Sequence, residues 1–122
     1  SVALNLTIEE KYNLEKYIIV QAGDLNTLHA LDKVFPNMPK LLLVGTQIGL
    51  DEALTANYVD IIGANESLMT RKNVRNTHDV NKMFNVWTLD RKGDIKKAIS
   101  LNVDSYFTNF TNRALTVEKE YR

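Results

Sequence analysis

Polar and aromatic side chains gather at the predicted carboxyl ends of five strands in this 122-residue chain. In parallel α/β proteins the carboxyl ends of the strands form the functional face. A rim of this composition suits a small polar or phosphorylated ligand, although it is poor in groups that carry demanding chemistry. Its members are Gln21, Asp24, Thr46, Gln47, Asn65, Glu66, Trp87, Thr88, Asp90, Thr108 and Asn109.

Most of the acidic candidates also have a structural explanation. Asp24, Asp51 and Asp90 fall where helices are predicted to begin, and N-capping alone accounts for a carboxylate there. We favour capping for these three, and a solvated loop position for Glu66. Trp87 is interpreted as a core residue more readily than as a stacking platform, although a Trp near a strand end can stack on a substrate.

Histidines and known motifs add no catalytic residue. His29 and His78 lie on predicted helices away from the rim, so we interpret both as helix-surface or interhelical residues. No set of His and carboxylate residues has metal-ligand spacing. The sequence also lacks a Gly-rich phosphate loop and a Gly-x-Ser-x-Gly elbow. The residues alone therefore predict a polar pocket, with no catalytic residue and no metal ligand in this chain.

Five short apolar segments are predicted to be the strands that carry this rim. The first two are continuous apolar runs, as expected of parallel strands that are buried on both faces. Their starts lie roughly 20 residues apart, about the length of one βα repeat. The segments are residues 17–21, 40–45, 59–64, 84–89 and 103–108.

Helix signals fill the gaps between the strands. Leu25, Leu28, Leu31 and Val34 recur at helical spacing after Asp24, and prolines follow them. At the front, the spacing of Thr7 and Glu10 suits a capping box and predicts a helix over 8–16, with no strand ahead of it. The remaining predictions are Asp51 capping 52–56, Thr70 capping 71–82, Asp90 capping a helix that reaches Leu101, and Asn102 in a left-handed helix stop.

A weak internal repeat links two of the strands. Val59-Asp60 is followed by Asn65, and Val103-Asp104 is followed by Asn109 at the same spacing. In each unit an Asp marks the start of the strand and an Asn marks its end. We interpret the repeat as ordinary βα construction, in which Asp closes one turn and Asn opens the next loop.

Composition limits the kind of protein this is. Fifteen basic and fifteen acidic residues cancel, so no basic surface favours nucleic acid or anionic membrane. The absence of cysteine excludes disulfides and thiolate metal sites. No apolar run approaches the ~20 residues of a membrane helix, and the start of the chain does not resemble a signal peptide. The expectation is one domain over 1–122, whose localisation the sequence does not give.

The last third of the chain resembles the end of the glycerophosphodiester phosphodiesterase family. Val86-Trp87-Thr88, followed by Val103-Asp104 and Thr108-Asn109, is similar to the family's last two strands. Those strands typically read Val-x-Val-Trp-Thr-Val-Asn and Gly-Val-Asp-Gly-Ile-Ile-Thr-Asp. The strand that ends at Gln21 resembles an earlier family strand that ends Gln-Ser-Phe. Ala22-Gly23, Asn102 and Asn109 depart from the pattern, where the family has Ser-Phe, Gly and Asp.

The resemblance implies a (β/α)8 TIM-type barrel that hydrolyses glycerophosphodiesters to glycerol 3-phosphate and an alcohol with a divalent cation, Ca or Mg. This chain would supply the last four to five βα units, an incomplete barrel. The family's His-Arg, Glu-Asn-Thr, Glu-x-Asp and second His have no match here, so the cation's ligands are expected outside the chain. Gln21, Trp87, Asn65 and Asn109 are the implied substrate contacts, and the chain alone is expected to be inactive.

An incomplete barrel leaves two sheet edges open to pairing. The expected partners are therefore the N-terminal half of the barrel or a second copy joined edge to edge, besides the glycerophosphodiester substrate; no nucleic acid is expected. The alternatives are a flavodoxin-like signalling or binding domain and a half-barrel that binds ligand without catalysis. Strand order distinguishes the barrel from the flavodoxin-like domain. Strands that neighbour each other in sequence order indicate a barrel, and a reversal of the order indicates a doubly wound sheet.

Overall fold

The computed structural model describes residues 19–121, together with the backbone of residues 2–4. Within these residues, strands and helices alternate along the chain. A short 3-10 turn follows the fourth strand. The elements are β1 Val2–Leu4, β2 Val20–Ala22, α1 Leu25–Val34, β3 Lys40–Val44, α2 Gln47–Thr55, β4 Ile61–Asn65, the 3-10 turn Glu66–Leu68, α3 Arg71–Asp79, β5 Met83–Trp87, α4 Lys92–Ser100, β6 Ser105–Phe107 and α5 Thr111–Tyr121.

The six described strands form one sheet in the order β1-β6-β5-β4-β3-β2. Strands β2 to β6 run parallel, and each pairs with the strand that follows it in sequence. β1 pairs antiparallel with β6, with Val2 opposite Phe107 and Leu4 opposite Ser105. The parallel strands therefore have the sequential order of a barrel wall. This order has no reversal point, so it does not fit the doubly wound alternative.

The helices cover one face of the sheet. Strand residues such as Leu42, Ile62 and Phe84 form the main core there together with helix residues such as Leu28 and Ile95. Because side chains alternate along a strand, the residues next to these point to the other side. A second, smaller cluster lies on that side, which we call the second face; its buried members are Leu41, Ile61 and Met83.

All five predicted strands are present, with shifted bounds. The structure shifts the ends of the predicted strands by up to three residues, because a strand ends where its pairing ends and not where the apolar residues end. The expectation that no strand precedes the first helix is wrong, since Val2–Leu4 pairs with β6. The predicted helix over 8–16 lies outside the described residues.

Two of the predicted helix caps are confirmed. Asp24 accepts a hydrogen bond from the Thr27 N–H at 2.8 Å and caps α1, which lowers the pKa of the Asp24 carboxyl. Thr70 caps α3 by accepting from the Asn73 N–H at 3.1 Å. Asn102 adopts the predicted left-handed conformation, with φ of 64°. Asn81, with φ of 61°, does the same after α3.

The prediction for Asp51 is wrong. The helix it was expected to open begins earlier, at Gln47, because Thr46 accepts from the Gly49 N–H at 3.1 Å and caps α2. Asp51 lies inside the helix and instead accepts a hydrogen bond from Gln47 Nε2 at 2.8 Å. A carboxylate four residues after an amide can make this contact within a helix.

The two Asp residues of the internal repeat have the same structural role. Asp60, before β4, accepts from the Lys40 N–H at the start of β3 at 2.8 Å. Asp104, before β6, accepts from the Phe84 N–H of β5 at 2.7 Å, and also bonds His78 Nε2 at 2.7 Å. Each carboxylate therefore binds the first free N–H of the neighbouring strand. The two Asp residues of the repeat are therefore structural, although they bind the neighbouring strand and do not close a turn, and His78 lies between α3 and the sheet.

Candidate functional site

The site is centred on the carboxyl ends of β4 and β5. Asn65 and Trp87 are the last residues of these strands and are direct partners in the ladder. Both follow residues of the helix-covered core, so both belong to the second face. The Trp87 indole N–H donates to the Gly63 carbonyl at 2.7 Å, which fixes the half-buried ring across the end of β4. An amide and a fixed aromatic ring therefore stand side by side at the rim.

Three of the four predicted substrate contacts share this face of the sheet. Strand alternation places Gln21 of β2 on the second face with Asn65 and Trp87, and its side chain is exposed. Phe107 of β6 is half-buried on the same face. Asn65 also has a structural role, since its Oδ1 accepts from the Ser67 N–H at 3.0 Å and starts the 3-10 turn. These residues could receive a ligand with both polar and apolar groups.

Asn109, the fourth predicted contact, lies in a separate network around Asp90. The Asp90 carboxylate accepts from the Asn109 N–H at 2.8 Å, from Asn109 Nδ2 at 3.2 Å and from Thr108 Oγ1 at 3.2 Å. Arg113 Nη1 donates to the Asp90 carbonyl at 2.7 Å. Capping was therefore the wrong prediction for Asp90, because α4 begins after Arg91 without a side-chain cap. Asp90 instead joins the loops that follow β5 and β6.

Acid should release this network. The Asn109 backbone N–H is the main reason that the pKa of the Asp90 carboxyl lies below its usual value. Since the unfolded-state value is about 3.9, the stabilisation is complete above that pH and is lost as pH falls through the folded-state pKa. We expect the loss of stability between pH 6 and pH 3, measured by urea unfolding, to be smaller in Asp90→Asn than in the parent chain.

The matched control is Asp79→Asn, at the exposed end of α3, whose carboxylate forms no hydrogen bond within the described residues. It should leave the pH dependence close to that of the parent. An Asp90→Asn chain with the parent's full acid sensitivity would contradict the role assigned to Asp90.

An amide pair that the sequence did not predict supports the β4 end of the site. Gln47 Nε2 donates to Asn73 Oδ1 at 2.9 Å, and Asn73 Nδ2 donates back to Gln47 Oε1 at 3.0 Å. Asn73 Nδ2 also donates to the Leu68 carbonyl at 2.9 Å. The pair ties α2, α3 and the 3-10 turn together. The sequence gives no signal for this pair, because the two residues are 26 positions apart and lie on different helices.

Three cavities open along the rim among the described residues. One of about 270 Å³ lies at the ends of β2 and β3, beside Asp24 and Thr46. One of about 360 Å³ lies between the 3-10 turn and α4. A third, of about 430 Å³, follows β6 along residues 109–113. The functional edge is therefore grooved at several strand ends.

The acidic residues do not form a set of ligands for the implied divalent cation. Calcium and magnesium are bound by several oxygen ligands that converge on one point. Within residues 19–121 no three His, Cys, Asp or Glu side chains lie close enough to hold an ion. Asp90 already accepts three hydrogen bonds from the β6 loop. The described residues therefore do not fit the cation.

Sequential parallel strands with helices on one face define the chain as an α/β protein whose sheet is part of a TIM-type barrel. Comparison with known proteins leads to the same fold. Neither a family model nor a curated protein sequence matches the chain. Solved structures do match it, and those described next carry names of the phosphodiesterase class.

Two matches are crystal structures of proteins assigned by name as glycerophosphoryl diester phosphodiesterases. The protein from Silicibacter pomeroyi aligns with a TM-score of 0.79 and 17% identity over 92% of this chain and 41% of its own. The Agrobacterium tumefaciens protein aligns with a TM-score of 0.73 and 20% identity over 93% and 49%. An Oleispira antarctica phosphodiesterase, solved with the product sn-glycerol-3-phosphate, gives 0.74 and 10% over 87% and 46%.

These comparisons establish the fold and its extent. The chain has the architecture of part of a glycerophosphodiester phosphodiesterase barrel, and it spans less than half the length of each of these structures. At this identity the likeness concerns the backbone and does not assign side-chain roles. Among the described helices none has the length and apolar character needed to cross a membrane.

Proposed function

We propose that this chain is the C-terminal portion of a metal-dependent phosphodiesterase that hydrolyses glycerophosphodiesters to glycerol 3-phosphate and an alcohol. The observation that carries the proposal is the sheet. Its sequential parallel strands match phosphodiesterase barrels closely while covering under half of each. The Trp-Thr strand and its successor, which carry the family resemblance, are the adjacent strands β5 and β6 inside that sheet. Trp87, Asn65 and Gln21 would then form one wall of the substrate site.

Cleavage of a phosphodiester needs positive charge on the phosphate and an acid for the leaving alkoxide. The described rim offers no His-carboxylate pair and no metal ligand set. The only described His-carboxylate contact joins His78 to Asp104, at the opposite end of the strands. The role of this chain in the proposed reaction is therefore binding and orientation, and the reacting groups would come from the rest of the barrel.

A buried polar atom on the second face lacks a hydrogen-bond partner among the described residues. Asn85 lies between Gly63 and Ser105 in the ladder, and its Nδ2 donates to Ser105 Oγ at 2.7 Å. Its Oδ1 is buried and has no hydrogen-bond partner within the described residues. An unsatisfied buried acceptor costs roughly 1–3 kcal/mol, so a donor is expected. In a closed barrel this face is the interior, where an ordered water or a neighbouring polar side chain supplies such a donor.

The edges of the sheet indicate where the rest of the barrel would join. Among the described strands, β2 is the parallel strand with a neighbour on one side alone, while the other edge of the sheet is formed by β1, which covers β6. An open strand edge is a template for pairing. We propose that the N-terminal half of the barrel pairs there, and that the isolated chain pairs edge to edge with a second copy instead.

The test compares this chain with the longer native polypeptide that contains it. We expect the pure chain, with Mg²⁺ or Ca²⁺, to release glycerol 3-phosphate from glycerophosphocholine no faster than the blank. The longer polypeptide should release it, and EDTA should abolish that release. Light scattering on the pure chain should give the mass of a dimer.

Each arm has its own contrary outcome. Turnover by the pure chain would overturn the assignment of the reacting groups to the rest of the barrel. A longer polypeptide without metal-dependent turnover would leave the non-catalytic ligand-binding half-barrel as the better description. A monodisperse monomer would contradict edge-to-edge pairing.

A further inference from the structure

Strand β1 lies at the far end of the sheet from the strand that follows it in sequence. Each of the parallel strands β2 to β6 lies beside its successor. β1 precedes β2, yet it lies at the opposite edge and pairs antiparallel with β6. A TIM-type barrel closes with eight parallel strands. The position and direction of β1 therefore do not fit a closed barrel.

The spacing of the strands indicates a second position for β1. Strands β2 to β6 start 20 to 22 residues apart, and Val2 precedes the start of β2 by 18 residues. The connection over residues 5–19 is longer than the ~12 residues that a parallel crossover needs. The sequence also predicts a helix over 8–16 within this connection. This is the layout of one more βα unit, whose strand would lie parallel to β2.

The two positions offer β1 strand edges of the same length. On β6 the segment Val2–Leu4 makes three residue pairs. β2 also has three residues, Val20–Ala22, and among the described strands nothing pairs with its outer edge. An open strand edge is a template for pairing. Three pairs on β6 can therefore be exchanged for three pairs on β2.

We propose that Val2–Leu4 is a switch strand, which covers β6 in the isolated chain and moves to a parallel position beside β2 in the complete barrel. This rests on the proposed function, because the move frees the edge of β6 that the barrel's first strand must occupy. The interaction surface on β6 therefore fits two competing strands, this segment and the first strand of the N-terminal half. In the isolated chain the segment shields β6 from other pairing partners, and it blocks closure until the first strand displaces it.

A disulfide can report the position of β1, because the chain contains no cysteine of its own. Val2 lies opposite Phe107 in the antiparallel pair. Such partners have Cα atoms about 4.5–5.5 Å apart, within the span of a disulfide. Val2→Cys combined with Phe107→Cys should therefore form a disulfide in the isolated chain under mild oxidation. In the longer native polypeptide it should form at least about tenfold more slowly, since the rate follows the fraction of molecules with β1 on β6.

The control is Asn85→Cys combined with Ser105→Cys, on strands β5 and β6, which remain neighbours in both states. Asn85 Nδ2 and Ser105 Oγ lie 2.7 Å apart, so the side chains at these two positions meet. This pair should link at similar rates in the isolated chain and in the longer polypeptide, as measured by mass spectrometry of the linked peptides. Equal rates for the Val2→Cys and Phe107→Cys pair in both proteins would overturn the proposal. Absence of that disulfide from the isolated chain would overturn it as well.

Hydrogen exchange tests the same move without a disulfide. Proline has no backbone N–H to donate, so Ala3→Pro should weaken the pairing of β1. In the isolated chain this change should speed amide exchange of residues 105–107 about threefold or more. In the longer polypeptide it should speed exchange of residues 20–22 instead and leave residues 105–107 unchanged. Faster exchange of residues 105–107 in both proteins would show that β1 stays on β6, and would contradict the move.

Neither measurement depends on turnover. A longer polypeptide that hydrolyses nothing, but in which the effect of Ala3→Pro moves from residues 105–107 to residues 20–22, supports the switch strand and overturns the phosphodiesterase. A longer polypeptide that hydrolyses glycerophosphodiesters, and still forms the disulfide between positions 2 and 107 as fast as the isolated chain, overturns the switch strand and supports the phosphodiesterase.

Discussion

Trp87→Ala is expected to have the largest effect of any single change at the rim. Removal of a buried Trp or Phe side chain costs about 3–5 kcal/mol, and the half-buried Trp87 ring should therefore contribute roughly 2–3 kcal/mol. The change also removes the indole N–H that binds the Gly63 carbonyl at 2.7 Å. Urea unfolding of the parent and the variant measures the loss.

The same variant should impair catalysis once the barrel is complete. If Trp87 forms a wall of the substrate site, kcat/KM of the longer polypeptide should fall by about tenfold or more, as expected when a contact worth 1.4 kcal/mol or more is lost. Trp87→Phe is the matched variant, because it keeps an aromatic surface while it loses the N–H and part of the ring. The lost hydrogen bond should cost about 0.5–1.5 kcal/mol of stability, and kcat/KM should change little.

The two variants decide between the two interpretations of Trp87. If Trp87 is only a core residue, Trp87→Ala should lower the free energy of unfolding and leave kcat/KM of the folded molecules unchanged. That result would remove Trp87 from the substrate wall and leave Asn65 and Gln21 as its predicted members. A fall in kcat/KM of the folded molecules would instead support Trp87 as a platform on which the substrate stacks.

Local signals explain which parts of the fold the sequence predicted. Asp24 and Thr70 bind N–H groups three residues away, so the cap and its partner stand in one short segment. Asp90 looks identical in sequence, but its partner is the Asn109 N–H, 19 residues further on. Nothing local distinguishes a carboxylate that caps from one that joins two loops. Asp90 bonds the loop after β6 because β5 and β6 are neighbours in the sheet, and the local sequence does not show that pairing.

Competition between neighbouring signals explains the error at α2. Thr46 and Asp51 are both good cap residues, and Gly49 lowers the helix propensity of the segment between them. Tertiary contacts decide in favour of the earlier start, because Gln47 can then bond Asn73 of α3. The strand Val2–Leu4 was missed for a related reason. Three residues give too short a pattern, and their partner β6 lies at the other end of the chain.

The candidate site was predictable in its composition and not in its arrangement. The predicted strand ends and the family resemblance placed Asn65 and Trp87 at the rim, and the ladder makes them partners. The bond from Trp87 to the Gly63 carbonyl depends on the ring lying across β4, which no spacing encodes. The groove between the 3-10 turn and α4 was also missed, because its two sides come from separate segments.

Gly63→Ala is expected to destabilise the chain although alanine is small. A Cβ at this position would lie 2.6 Å from Leu41 Cδ2 and 3.1 Å from Leu43 Cδ2, on the second face of the sheet. Leu41 is only 2% exposed and packs in the cluster with Ile61 and Met83, so its side chain would have to move inside a buried cluster. Overpacking of this kind costs about 1–3 kcal/mol, which exceeds the ~0.4–1 kcal/mol gained by restricting the unfolded chain.

Gly93→Ala provides a control of opposite sign. It lies in the first turn of α4, where a Cβ meets no atom within 4 Å, and replacing a helical glycine by alanine stabilises by about 0.5–1 kcal/mol. The midpoint of urea unfolding should therefore be lower for Gly63→Ala and higher for Gly93→Ala than for the parent chain. A Gly63→Ala chain as stable as the parent would show that Leu41 and Leu43 can move, and that the second face is not closely packed. The wall behind Trp87 would then be adaptable, and its ring would not be held in one place by the strand beneath it.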